Sequence, residues 1–321
     1  MSISKIRRSF ILSLWVITPW LIGIIYQQAM FGLLMSFGGY LLVVSFPKLP
    51  QKKSLFALLQ GACIISALAS IGVNIPLGSL LFFLCSAIGA YLQGYSEIRA
   101  TYLRLPIALG VLAYFLSIGQ IPTQGASFYA SAFSAGTFWG VIIAYIMLPH
   151  DTNAAVTVKR EMKSPTVQRF SIAIVLVALI GSAIATVIPS LHPCWLPAAG
   201  LRVMKAERMA TWVRLKQRGA GTLLGAIVGG LILGLYHNPW WHISLVGLLL
   251  FAMLMIGAKR YGYWTFCLTA IALTFNLAPN AGPIALAIDR SMLTVLALVI
   301  AITMLLLLPK AENNLPNKNP H

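Results

Sequence analysis

Acidic residues are scarce in this chain. Six Asp and Glu stand against 23 Lys and Arg in 321 residues, and charged residues of both signs make up only 9% of the total. So little charge, beside 59% hydrophobic residues and a mean hydropathy of +0.86, excludes a soluble globular domain. Catalytic signatures are missing as well. No GxxxxGK[ST] loop offers a nucleotide site, and the absence of HExxH and GxSxG leaves hydrolase chemistry without a base or nucleophile; the chain reads as a non-enzyme. The four cysteines (Cys63, Cys85, Cys194, Cys267) lack CxxC spacing and lie in or beside apolar runs. They read as small packing residues, not disulfides or ligands. Neither a cofactor nor a metal is expected.

What charge there is follows a pattern. About ten of twelve apolar stretches carry none, and the cations fall into every second gap between them. Those gaps hold Lys5, Arg7 and Arg8; Lys48, Lys52 and Lys53; Arg99 and Arg104; Lys159, Arg160, Lys163 and Arg169; Arg202 to Arg218; Lys259 and Arg260; then Lys310 and Lys318. The intervening gaps have no Lys or Arg, apart from the Asp289-Arg290 pair before the last stretch. Because Lys and Arg are retained on the cytoplasmic side, the alternation predicts a polytopic membrane protein with both termini inside. The net charge of +17 is then a consequence of topology and does not indicate nucleic acid. The basic loops are expected against anionic lipid head groups. Lys5-Ile-Arg-Arg8 before an apolar run resembles a signal peptide, but without an obvious small-residue cleavage site it reads as an uncleaved first helix.

A bilayer core needs about 20 apolar residues per helix. That length predicts spans at 9–26, 30–46, 55–73, 76–95, 105–121, 128–148, 170–188, 193–205, 219–236, 240–258, 263–277 and 291–308. All must be helical, since lipid offers backbone amides no partner and barrel-type alternation is absent. Trp15, Trp20, Trp139, Trp195, Trp240, Trp241 and Trp264 mostly fall near span ends, where interfacial anchors sit. His192, His237 and His242 are expected at the interface too. The fold class is therefore all-α, a polytopic bundle of about twelve transmembrane helices.

The two halves look related. Arg8 and Arg169, like Gly39 and Gly200, are 161 positions apart, and Gly61 and Gly221 are 160 apart. Two pseudo-repeats of six spans in the same orientation follow: residues 1–148 and 169–309, joined by a cytoplasmic linker at 149–168 and followed by a tail at 310–321. A linker of about 20 residues leaves no room between the halves for a motor, catalytic or sensor domain.

The stretch from His192 to Arg218 differs from the rest. Between Pro193 and Arg202 there are only about eight apolar or small residues, or ~12–14 Å of helix, under half of a core ~30 Å thick. Either this is a half-span ending in a vestibule, or it continues and carries Arg202, Lys205 and Arg208 into the membrane. Arg202 snorkelling to the head groups and a cationic lining for an anionic solute both fit. Arg202, Lys205, Arg208 and Trp212 follow one another at three or four residues, so they form one face. Arg214, Arg218, Thr222, Gly225 and Gly229 form a second run, on which Gly221, Gly225 and Gly229 make overlapping GxxxG motifs. Such a face packs against another helix and turns Arg218 into the bundle. Asp289 and Arg290 stand at the predicted start of the last span. The acid either relays protons or marks a helix start, and the two side chains, ~100° apart on a helix, need separate partners.

His192-Pro-Cys-Trp195, followed by Arg208, Arg214, Arg218 and Gly221-Thr222-Leu-Leu-Gly225, resembles the signature of the fusaric acid resistance and aromatic acid exporter superfamily. Asp289-Arg290-Ser-Met-Leu-Thr294 is similar to that family's closing arginine-containing helix. The resemblance implies a bacterial inner-membrane transporter that moves organic anions, typically aromatic carboxylates, outward. Some relatives act beside a periplasmic adaptor protein, and related plant proteins are anion channels; a homo-oligomer is compatible. It implies a substrate site of Arg202, Lys205, Arg208, Arg214 and Arg218, with stacking on Trp195 or Trp212. Energy would come from an ion gradient, with Asp289 and Arg290 as the proton-coupling pair. A passive anion channel and an adaptor-docking subunit are the alternatives. This sequence departs from the family in lacking its large cytoplasmic regions and in carrying Ala198-Ala199 where a threonine-containing run is expected.

Overall fold

A computed structural model describes residues 3–45, 51–99, 101–147, 164–235, 238–257, 260–274 and 282–307. Linker residues 149–163, the tail 310–321, Lys48, His237 and Lys259 lie outside them. The described residues form twelve helices: α1 (Ile3–Ile25), α2 (Ala29–Ser45), α3 (Gln51–Asn74), α4 (Leu80–Ile98), α5 (Arg104–Ser117), α6 (Ala126–Met147), α7 (Ser164–Ala185), α8 (Trp195–Val203), α9 (Arg208–Leu235), α10 (Pro239–Ile256), α11 (Tyr261–Thr274) and α12 (Pro283–Leu307). The last residues of the expected linker thus belong to α7.

Local chemistry sets several boundaries. The Ser79 side chain caps α4 by accepting from the Phe82 amide at 3.2 Å, and Asn238 caps α10 by accepting from Trp240 N at 2.9 Å, with Pro239 supplying the first-turn φ. Pro19 lies inside α1 and cannot donate to the carbonyl of Trp15. The indole Nε1 of Trp139 donates to that carbonyl instead, at 3.1 Å, so the proline defect becomes an α1–α6 contact.

The described residues do not form twelve full spans. Among the described residues six helices are long and apolar enough to cross a membrane: Ile3–Ile25, Ser54–Asn74, Ala126–Met147, Gln168–Ala185, Pro239–Ile256 and Pro283–Leu306. Two more apolar helices, Ala29–Ser45 and Arg104–Ser117, are shorter. α8 has nine residues, about 14 Å of rise. α9 has 28 residues, but Arg208, Arg214, Lys216 and Arg218 fill its first three turns.

Helix neighbours recur with a shift of six. α1 packs on α2, α2 on α6, α3 on α5 and α6, and α4 on α5; α7 packs on α8, α8 on α12, α9 on α11 and α12, and α10 on α11. Between the halves, α4 meets α7 and α10 meets α1. Close approaches recur too. A Cβ on Gly39 would lie 3.1 Å from Gly136 O, and one on Gly200 would lie 4.0 Å from Ala297 O; 161 positions relate both partners. A Cβ on Gly61 would lie 3.4 Å from Pro106, and one on Gly221 would lie 3.2 Å from Phe266 N, both partners 160 positions apart.

Three of the tryptophans expected at the interface are core residues. Trp20, Trp195 and Trp264 are buried; for Trp195 and Trp264 the reason is that helices as short as α8 and α11 bring their ends inside the bundle.

Candidate functional site

The helix that begins at Trp195 stops at Val203, where Met204 turns extended (ψ 131°). Thr211 fixes the turn that follows: its hydroxyl accepts from Lys205 N at 3.0 Å and lies 3.1 Å from the Glu207 carbonyl. This break overturns the single face expected for Arg202, Lys205, Arg208 and Trp212, since no helix runs through all four. Arg208 is partly buried in the first turn of α9, and Trp212 packs against the core. Neither lines the cavity described next.

That cavity, of about 90 Å³, lies between the halves on the side where α9 begins. Arg202, Lys205 and Arg214 from the second half line it, with Arg104, Glu97 and Gln93 from the first. Four cations therefore surround one carboxylate. Lys205 Nζ is 2.6 Å from Glu97 Oε1, and Arg104 Nε is 3.7 Å from Glu97 Oε2. Burial lowers the Lys205 pKa to about 8; Arg214 and Arg202 add to that, while Glu97 opposes it. Aromatic faces hold the arginines. Arg214 Cζ lies 4.3 Å from the Tyr261 ring centre and Arg202 Cζ 5.8 Å from that of Trp264. Arg202 Nε and Gln93 Oε1 are buried without hydrogen-bond partners.

Arg218 lies one further turn into α9. It is 1% exposed, on the face where Gly221 and Gly225 press against the Gly262 and Phe266 carbonyls of α11, Gly229 meets Ala270, and Thr222 lies beside Thr269 at 3.5 Å. Small residues thus dock α9 so closely that a guanidinium on the same face is carried inside. A second cavity, of about 20 Å³, is lined by Arg218, Arg290, Tyr40 and apolar residues of α2, α5 and α11. Nε and Nη1 of both arginines are buried without hydrogen-bond partners, and neither guanidinium joins an ion pair among the described residues.

Arg290 is 4% exposed, with Cζ 4.5 Å from the Trp195 ring centre. His192 also stacks on Trp195, at 4.4 Å and 24°. His192 is 7% exposed and its Nδ1 is 2.9 Å from Gln120 Nε2, so it is not an interfacial residue. Asp289 lies two turns into α12, whose start is Pro283; it therefore does not mark a helix start. It accepts from Ser190 Oγ at 2.8 Å and lines neither cavity.

The residues that the sequence reading missed are Glu97, Arg104, Gln93, Tyr261 and Trp264. Positional offsets offer a signal for some of them. An offset of 161 relates Val44 to Lys205 and one of 160 relates Arg104 to Trp264, and all four line the larger cavity.

Residues 172–304 match the family model described as fusaric acid resistance protein-like. No curated protein and no solved structure matches the chain. The matched segment runs from α7 through α12 and contains Arg202, Arg214, Arg218 and Arg290. Apolar helices closing around buried cations make this chain a multi-pass membrane protein, and its residues 172–304 are similar to the fusaric acid resistance protein-like family.

Proposed function

We propose that the chain is a bacterial inner-membrane transporter that exports organic anions, aromatic carboxylates foremost, at the expense of an ion gradient. One observation carries the reading. Arg218 and Arg290 are buried between the halves with guanidinium nitrogens that no protein group satisfies. A buried, unpaired charge is strongly unfavourable, and cations at membrane depth mark solute paths. An anion passing from the larger cavity to the smaller would satisfy Arg202, Arg214, Arg218 and Arg290 in turn. Guanidinium pairs suit a carboxylate, and Tyr261 and Trp264, which line the larger cavity, are partners for an aromatic ring.

The recurring helix contacts support duplicated six-helix halves at 1–148 and 169–309, with the path at their junction. Cytoplasmic termini rest on the cation alternation. Contacts with anionic lipids, a periplasmic adaptor or a second copy complete the proposal.

The test is accumulation of labelled benzoate in proteoliposomes, with and without an imposed pH gradient, for wild type, Arg202→Ala and Arg214→Ala. Gradient-driven accumulation lost in both variants is expected. Flux that only dissipates the benzoate gradient would make the protein a passive anion channel. No flux by wild type would point to an adaptor-docking subunit.

A further inference from the structure

Glu97 is the carboxylate of the larger cavity, and it comes from the half of the chain that the family match does not cover. Its two oxygens face Lys205 at 2.6 Å and Arg104 at 3.7 Å. The cations that a guest carboxylate needs are thus already held by a carboxylate of the protein's own. The remaining groups around it are cationic or neutral. Arg214 reaches in from α9, Arg202 from α8 and Tyr261 from α11, with Gln93 one turn before Glu97 on α4. Where α7 packs on α4 it brings Phe170, Ser171 and Ile174 against Gly94, none of which titrates. A guest anion entering beside an ionised Glu97 would place two carboxylates in one small, partly buried space, and such pairs share a proton.

We propose that Glu97 is a proton-linked competitor for the transported anion. In the empty cavity its carboxylate holds Lys205 and Arg104. When a guest carboxylate takes those cations, Glu97 takes up one proton from solution and the charge of the site is unchanged. Binding one anion therefore binds one proton, so anion and proton cross together and export draws on an ion gradient other than the proton's; the site selects for carboxylates because it is built around one. Asp289, hydrogen-bonded to Ser190 away from both cavities, has no such competition to relieve. The inference rests on the anion-transport reading, and its test separates the two.

Benzoate binding to the purified protein is measured by calorimetry at pH 6.5 in two buffers of different ionisation enthalpy. Wild type is expected to take up close to one proton per benzoate bound, with affinity weakening by up to about tenfold per pH unit as pH rises, as one-proton linkage requires. Glu97→Gln is expected to take up none, to lose that pH dependence, and to bind benzoate roughly tenfold tighter, within the usual range of coupling between sites. Binding by wild type without proton uptake would overturn the role of Glu97 and leave anion transport standing. Benzoate bound by neither protein would overturn both. The wild-type measurement decides the matter even if the variant does not fold.

Discussion

Arg218 heads the fully buried side chains of the bundle by size, and two of its three guanidinium nitrogens have no partner. Replacing it with Met, which is similar in length and apolar, should separate stability from function. A cation at the centre of a membrane helix costs about 2.5–3.5 kcal/mol on insertion scales. The hydrogen bond it shares with Tyr261 returns about 1.5–2 kcal/mol, as bonds to charged groups do. Tyr261 keeps a second partner, the Arg202 carbonyl at 3.4 Å, so little is left unsatisfied by the change. Arg218→Met should therefore be more stable than wild type by about 1–2 kcal/mol, a rise of a few degrees in Tm. It should also lose benzoate flux, together with the stabilisation that a ligand at 100 times its Kd confers, about 2.7 kcal/mol. Thermal unfolding in one detergent, with and without benzoate, reads the first and third quantities, and proteoliposome flux reads the second. A variant that melts several degrees lower would make Arg218 a structural residue. Undiminished flux would remove it from the path.

Three further outcomes follow from the geometry. Gly221→Ala places a methyl against the Gly262 carbonyl and should cost about 1–3 kcal/mol of stability, whereas Gly262→Ala, whose Cβ would find its nearest neighbour at 3.7 Å, should change Tm little; equal effects would contradict the close α9–α11 docking. Lys205 loses its charge as pH rises through about 8, some two units before an exposed lysine, so anion affinity, already declining with pH through Glu97, should fall more steeply above pH 8. In Lys205→Arg, which stays charged, the added loss above pH 8 should disappear while the Glu97-linked decline at lower pH remains; a break near pH 8 that persists in the variant would refute the assignment. Trp195→Leu removes the ring under Arg290, 4.5 Å from its Cζ. About 0.5–2 kcal/mol of cation–π attraction is lost, and both Tm and flux should drop.

Much of the architecture is legible because lipid permits few solutions. Charge-free runs mark α2, α6 and α10 to within two residues, while α1 and α7 begin six residues earlier than expected, and the shortness of α8 is visible in the eight apolar or small positions before Arg202. GxxxG spacing correctly directs Arg218 inward, because small residues dictate which face docks. Errors arise where a pattern has two physical causes. A 3–4 spacing through Arg202 and Trp212 suggests one helix, but Met204 breaks it and Thr211 stabilises the turn by bonds to Lys205 and Glu207. The start of α12 lies at Pro283, eight residues earlier than expected, because apolar residues precede Asp289 and a single charge pair does not end a helix. Glu97 and Arg104 are hidden for another reason. They sit in a cation-bearing gap that topology alone explains, and only the packing of α4 and α5 near the α8–α9 turn turns them toward Lys205.

The central claim is that the junction of the halves carries anions, and charge selectivity tests it most directly. The initial rates of uptake of labelled benzoate and of trimethylphenylammonium, a permanent cation on the same ring, are compared in proteoliposomes of the wild-type protein, each corrected for protein-free vesicles. With Arg104, Arg202, Lys205 and Arg214 around the mouth and Arg218 and Arg290 within, benzoate should enter and the cation should remain at the protein-free rate. Uptake of trimethylphenylammonium as fast as that of benzoate would contradict the account.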